Sequence, residues 1–114
     1  MNESPRTSPL DLLEMKSLYY FVTVAESLDY RRAARRLHVS ESSLGEKIKQ
    51  LEQLLETQLL ETQLERDTAR VRLTPAGETA LREARQLFAQ ERAMVESARR
   101  AARRETSRLS PAHV

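Results

Sequence analysis

Apolar residues recur at helical spacing from Met15 onward. Leu18, Phe21, Val22 and Ala25 fall at i, i+3, i+4 and i+7, one face of an α-helix. Ser27, Leu28 and Asp29 break that pattern, and Asp29 is a good N-cap for a second helix over Tyr30 to Leu37. Within it, Ala33, Ala34 and Leu37 are small or apolar and suit close packing on a neighbour. His38 and Val39 make a short connection. Ser40 is the next N-cap candidate, with Ser43 at the N3 position, and the third helix places Leu44, Ile48, Leu51 and Leu55 on one stripe. Two helices joined by a tight turn, the second opened by serine, form a helix-turn-helix pattern over residues 30–49.

Residues 54–63 read LLETQ-LLETQ, a tandem repeat far too short for a solenoid. Leu, Glu and Gln are good helix formers, so the repeat predicts a longer third helix or an added helical turn, with a looped-out segment as the alternative. Leu64 to Arg66 and Val71 to Thr74 then read as two short strands joined by Asp67 to Arg70. Thr74-Pro75 opens a long helix, with a hydroxyl N-cap followed by proline at the first helical position and Glu78 in the first turn. Leu81, Ala84, Phe88, Glu91, Val95, Ala98 and Ala102 continue at alternating 3–4 spacing, a coiled-coil seam with one charged interruption at Glu91. Arg99, Arg100, Arg103 and Arg104 load its C-terminal end with favourable positive charge. The expected organisation is a flexible tail over 1–14, a domain over 15–74, a linker and dimerisation helix over 75–105, and a frayed end over 106–114.

Composition narrows the function. Of 114 residues, 32% are charged and only 4% aromatic, which suits a helical chain with much solvated surface and a modest core. The net charge of +2 permits nucleic-acid binding without announcing it, so the distribution of charge carries that case. There are no cysteines, which removes disulfides, thiolate zinc sites and cysteine nucleophiles and fits a reducing cytoplasm. No apolar run approaches the roughly 18 residues of a membrane span, and the first residues do not read as a signal peptide. The glycines number two, Gly45 and Gly77, so a glycine-rich phosphate loop is excluded. With His38 in a turn and His113 in the tail, no metal site is expected, nor a cofactor, and an enzyme is the remotest reading.

From Met15 to Gly77 the chain resembles the N-terminal domain of LysR-type regulators. The family opening M-x-x-L-x-Y-F-V is present as Met15, Leu18, Tyr20, Phe21 and Val22. YRRAARRLHVS, Tyr30 to Ser40, is similar to the family's F-x-R-A-A-x-R-L-H-V-S. The following ESSLGEKIKQLE stands where members usually read something like QPALSRQIRRLE. R-V-R-L-T-P-A-G over Arg70 to Gly77 matches without a gap. The resemblance implies a mainly α fold: a winged helix-turn-helix of three helices and a short two-stranded wing, then a long helix that pairs two subunits. It also implies binding to pseudo-palindromic double-stranded promoter DNA as a homodimer, with larger oligomers left open. The effector-binding domain of full-length members is expected to be missing, and with it any small-molecule effector site.

In that fold the start of the third helix meets the major groove. Ser40, Glu41, Ser42 and Ser43 are therefore candidate contacts, with Ser40 also capping its own helix. Arg31 and Arg32 open the preceding helix beside the DNA backbone, whereas Arg35 and Arg36 read as structural or solvated. Lys47 and Lys49 flank buried Ile48 and diverge, and Lys47 is the candidate retained. Arg70 at the wing tip and outward-facing Arg72 complete the basic set, with Arg66 similar. The pairing candidates are Leu81, Ala84, Phe88, Val95, Ala98 and Ala102. Tyr30 reads as a core aromatic.

Three departures from the family pattern bear on DNA binding. Glu41 and Glu46 place carboxylates where members often carry glutamine and arginine. Phosphate repels them, although Glu can accept from cytosine N4. Gly45 replaces a common serine. The repeat adds about four residues between helix and wing, with Glu56 where a turn glycine is common. These departures favour a competing reading, a dimerising module that binds DNA weakly and pairs with a full-length relative. The intact YRRAARRLHVS segment and the arginines favour the DNA-binding regulator.

Overall fold

The computed structural model describes residues 13–65 and 68–109, with side chains outside 64–69 and 109. Residues 1–12 of the tail read over 1–14, the last residues 110–114, and Arg66 and Asp67 lie outside them. Element order is α1 (Met15–Ser27), α2 (Tyr30–Leu37), α3 (Glu41–Leu55), β1 (Leu60–Glu65), β2 (Thr68–Leu73) and α4 (Pro75–Leu109). This is a winged helix-turn-helix followed by a long helix. The chain divides into two compact units, Met1–Ala84 and Arg85–Val114.

The first unit is held by one apolar core. Phe21 and Val24 of α1, Ala33 of α2 and Leu44 of α3 are fully buried, with Ile48, Leu51 and Leu59 nearly so. The α1 stripe read from spacing, Leu18, Phe21, Val22 and Ala25, is buried throughout. Ala33 and Ala34 give α2 a flat inner surface, so its axis can approach α1 and α3. Leu55 differs from its expected place on the core stripe, because it is 38% exposed at the last position of α3. Leu59 occupies the core in its stead, from the second copy of the repeat.

The repeat is divided between two elements and does not lengthen the helix. Glu56 takes a left-handed conformation, φ 56° and ψ 37°. Its N–H donates to the Gln53 carbonyl and that of Thr57 to the Glu52 carbonyl, a Schellman ending. The chain then enters β1, and the amides of Leu59, just before it, and of Leu60, its first residue, are both held by the Glu52 carboxylate at 2.8 and 3.1 Å. Tertiary pairing thus overrides the helix propensity of LLETQ. Glu56 stands where the resemblance places a turn glycine, and it makes that left-handed turn itself. A left-handed non-glycine residue costs roughly 1–2 kcal/mol, and glycine gives part of that back through unfolded-chain entropy. Glu56→Gly should therefore raise stability by about 0.5–1 kcal/mol, read as a higher urea midpoint at constant m-value.

The wing also begins earlier than Leu64. Its antiparallel register runs from Leu60↔Leu73 through Thr62↔Val71 to Glu65↔Thr68, so β2 includes Thr68 to Arg70, which the sequence reading had assigned to the connection. Register partners share a face. Leu60 and Val71 are buried, while Glu61, Gln63, Arg70 and Arg72 are exposed on the other face. The Val71 N–H donates to the Leu28 carbonyl, and β2 packs on α1 and α2.

Thr74 closes the unit. Its hydroxyl donates to the Gln58 carbonyl at 2.7 Å and accepts from the Gly77 N–H at 2.9 Å, while its own N–H donates to the Leu59 carbonyl. Gly77 is buried and lies flat on this chain: a Cβ there would overlap the Leu59 carbonyl oxygen and come within 3.1 Å of Leu73 Cδ2. Ala84, two turns on, is 3% exposed. Helix α4 continues to Leu109, so Thr106 to Leu109 are helical and not the frayed end expected.

Candidate nucleic-acid interface

Two capped helix starts and a wing present the candidate residues. Asp29 is extended and its carboxylate accepts from the Arg31 and Arg32 amides at 2.9 and 3.2 Å. The bond from the Arg32 amide is the largest cause holding its pKa below the ordinary value, with the Arg31 amide and the two guanidinium charges adding to it and partial burial opposing. Helix α2 ends at His38, left-handed with φ 58°. The His38 amide bonds to the Arg35 carbonyl and the Val39 amide to that of Ala34, a second Schellman turn. That turn redirects the chain within two residues to Ser40, whose hydroxyl accepts from the Ser43 amide at 3.0 Å. The tight connection read from sequence is thus built from backbone bonds, and Ser40 is the N-cap of α3.

The buried stripe of α3, Leu44, Ile48 and Leu51, fixes its outer face. Residues are spaced about 100° around a helix, so Ser42, Glu46, Lys49 and Gln53 stand opposite the core, and all four are exposed. Lys47 lies to one side and is half-buried. Its Nζ contacts a Glu14 carboxylate oxygen at 3.4 Å, directed toward the start of α1. Lys47, the candidate retained from the sequence, lies beside Glu14, and of the two diverging lysines Lys49 is thus the one on the outer face. The wheel drawn from Leu44, Ile48 and Leu51 alone would have found it. Glu41, at the first position of α3, faces Arg31 at 3.8 Å. Both are well exposed, so the pair contributes little stability, but it sets a cation beside one of the two troublesome carboxylates.

The arginines gather elsewhere. Arg32, Arg70 and Arg72 line one cleft of about 520 Å³ with Ser27, Leu28 and Asp29, between the α1–α2 turn and the wing. Three guanidinium groups against one capping carboxylate give this cleft an excess of positive charge. A second cleft of about 390 Å³ lies between α3 and β1, lined among others by Tyr30, Gly45, Lys49, Glu52 and Glu61. Tyr30 is half-buried there. Burial first, then the nearby Glu52 carboxylate, raises its pKa. The sequence places it as a core aromatic, whereas it sits at the edge of the core, half-buried on the cleft.

In the second unit α4 is exposed along most of its length. Phe88 and Val95 are half-exposed, while Ala98 and Ala102 are exposed. Leu87 and Met94 are 43% and 57% exposed and flank the seam read from spacing. They were missed because a strict 3–4 pattern skips them, whereas a wider apolar stripe includes them. Leu81 is half-buried, and Ala84 is buried within the first unit. Ala84 thus packs inside its own domain, and the exposed apolar positions of α4 begin at Leu87. No described helix is long and apolar enough to cross a membrane.

Known proteins share these features. Residues 15–78 match the family described as bacterial regulatory helix-turn-helix protein, lysR family. The chain is 43% identical over 72 residues to the Hca operon transcriptional activator HcaR of Escherichia coli, covering 63% of this chain and 23% of that protein. It is 39% identical over 97 residues to the HTH-type transcriptional regulator AlsR of Bacillus subtilis, covering 85% of this chain and 31% of that one. The chain thus spans less than a third of either relative's length. Among solved structures, the CbnR DNA-binding domain in complex with DNA superposes with a TM-score of 0.71 at 33% identity, covering 79% of this chain and 99% of that one. The BenM DNA-binding domain on its benA site 1 DNA gives 0.69 at 32% identity, covering 78% and 99%. With the capped helix-turn-helix and wing agreeing with these likenesses, this chain belongs to the lysR family of bacterial regulatory helix-turn-helix proteins and carries that family's DNA-binding domain.

Proposed function

We propose that the chain is a sequence-specific transcription regulator that binds double-stranded DNA as a homodimer. Helix α3 enters the major groove with Ser42, Ser43, Glu46 and Lys49 toward base edges. Arg32, Arg70 and Arg72 hold the phosphate backbone beside it, and the exposed face of α4 pairs two subunits. The observation that carries this reading is the cleft that collects Arg32, Arg70 and Arg72 from α2 and the wing. Its fixed positive charge lies where a backbone running past the helix-turn-helix would pass, and phosphate contacts of this kind set register on a duplex. Complexes of the CbnR and BenM domains with DNA support the same reading.

A salt titration of binding to promoter fragments tests it. Three arginines in each of two subunits neutralise about six phosphates, so log affinity should fall against log salt with a slope near −5. Raising salt from 50 to 200 mM then weakens binding on the order of 1,000-fold. A folded dimer that binds no fragment even at low salt would overturn the proposal and leave the dimerising module.

A further inference from the structure

We infer that Glu46 is a specificity-determining residue that selects a cytosine in each half-site; this rests on the DNA-binding reading above. The carboxylates around α3 are not equivalent. Glu14 contacts Lys47, Glu41 faces Arg31, and the Glu52 carboxylate is taken up by the Leu59 and Leu60 amides. Glu46 makes no ion pair or hydrogen bond with any described residue. It stands at the exposed pole of α3, one turn beyond Ser42 and one turn before Lys49 and Gln50, within the first two turns of the helix. Those are the turns by which a helix-turn-helix reads bases.

An ionised carboxylate offers acceptors only. In a groove walled by phosphates it is repelled unless a base edge supplies a donor. Guanine presents N7 and O6, both acceptors, and thymine presents O4 and a methyl group. Adenine has a donor at N6, but its N7 acceptor lies alongside and repels the second carboxylate oxygen. Cytosine presents the N4 amino group without an acceptor of its own beside it in the major groove. Its partner guanine exposes O6 and N7 to the other side, where the Lys49 ammonium, three residues along the same face, can donate. Glu46 with Lys49 thus fits a C·G pair as acceptor and donor fit complementary edges. A residue that would otherwise oppose binding becomes one that makes binding conditional on sequence.

The test is selection from a randomised duplex library with the full chain, followed by sequencing, for wild type, Glu46→Gln and Glu46→Ala. Both replacements are good helix formers at an exposed position, and circular dichroism should show unchanged folding. The wild type should select one cytosine per half-site, with discrimination on the order of 10- to 100-fold at that position. Glu46→Ala should reduce that preference to within about 3-fold, and Glu46→Gln should move it to adenine, whose N6 and N7 suit a carboxamide. The other positions of the consensus should not move. An unchanged consensus in both variants would place Glu46 away from the bases and overturn the inference while leaving DNA binding intact. Uniformly tighter binding by Glu46→Ala with an unchanged consensus would reduce Glu46 to a phosphate-repelling group and overturn it equally. A wild type that selects no sequence at low salt would overturn the DNA-binding reading itself.

Discussion

Gly77→Ala should destabilise the domain by about 1–3 kcal/mol, while Gly45→Ala, the same change in another helix, should stabilise it by about 1 kcal/mol. Both glycines are helical, and both forfeit about 1 kcal/mol of helix propensity relative to alanine. Their surroundings decide the sign. Nothing lies within 4 Å of a Cβ built at Gly45, so alanine there recovers the propensity. At Gly77 a Cβ overlaps the Leu59 carbonyl oxygen, and that carbonyl also accepts from the Thr74 amide. Backbone cannot move aside as the tip of a flexible side chain can. Either the start of α4 lifts from the chain before β1, loosening the Thr74 bonds to Gln58 and Leu59, or β1 shifts and strains the Glu52 bonds to its first amides. The propensity gain is too small to offset either. Thermal unfolding of the two variants at matched concentration checks this, with midpoints displaced in opposite directions by roughly 5 °C per kcal/mol. A Gly77→Ala midpoint at or above wild type would mean that α4 does not need its close approach to Leu59.

The core was legible because its signals are local and repeated. Leu18, Phe21, Val22 and Ala25 declare the α1 face by spacing alone, and Asp29 and Ser40 mark helix starts by chemistry that the structure realises as side chain to backbone bonds. The wing was less legible. LLETQ carries the same five residues twice with the same helix propensity, yet one copy closes α3 and the other opens β1. What separates them is tertiary: Leu59 and Leu60 find burial, Val71 and Leu73 supply partners, and Glu52 satisfies the amides between. No short window of the sequence holds those three facts together.

The candidate interface divides along the same line. Arg32 is far in sequence from Arg70 and Arg72, and the bond of the Val71 amide in β2 to the Leu28 carbonyl of the α1–α2 turn helps bring the three to one cleft. The outward place of Lys49 is within reach of helical arithmetic, because the stripe of Leu44, Ile48 and Leu51 already fixes the opposite face. The contact of Lys47 with Glu14, 33 residues away, is not. Ala84 shows the reverse limit. Its spacing fits a seam, but spacing cannot tell a position buried in its own domain from one open to another chain.

Replacing Phe88 and Val95 together with Asp should convert the proposed dimer to monomer and weaken binding to a two-half-site duplex by about 100-fold or more. The two residues lie one heptad apart on α4, flanked by exposed Leu87 and Met94 and followed by Ala98 and Ala102. A paired helix would bury that stripe, and two carboxylates within it would have to be desolvated without partners. In the proposed dimer, pairing would also supply the avidity: once one α3 is docked, the second would search at an effective concentration set by the helix rather than by the solution. A single half-site should consequently bind wild type and variant almost equally. Two added negative charges on a DNA-binding chain would weaken both sites alike, so Ala93→Asp, exposed on the outer side of the same helix, serves as the charge control. The signature of lost pairing is sedimentation as a monomer, circular dichroism unchanged, and a loss confined to the two-half-site duplex. An unchanged dimer would show that the stripe from Leu87 to Ala102 is not where two subunits meet. A monomer that still binds the double site at full strength would remove pairing from the recognition mechanism and leave α3 and the arginine cleft to supply the affinity alone.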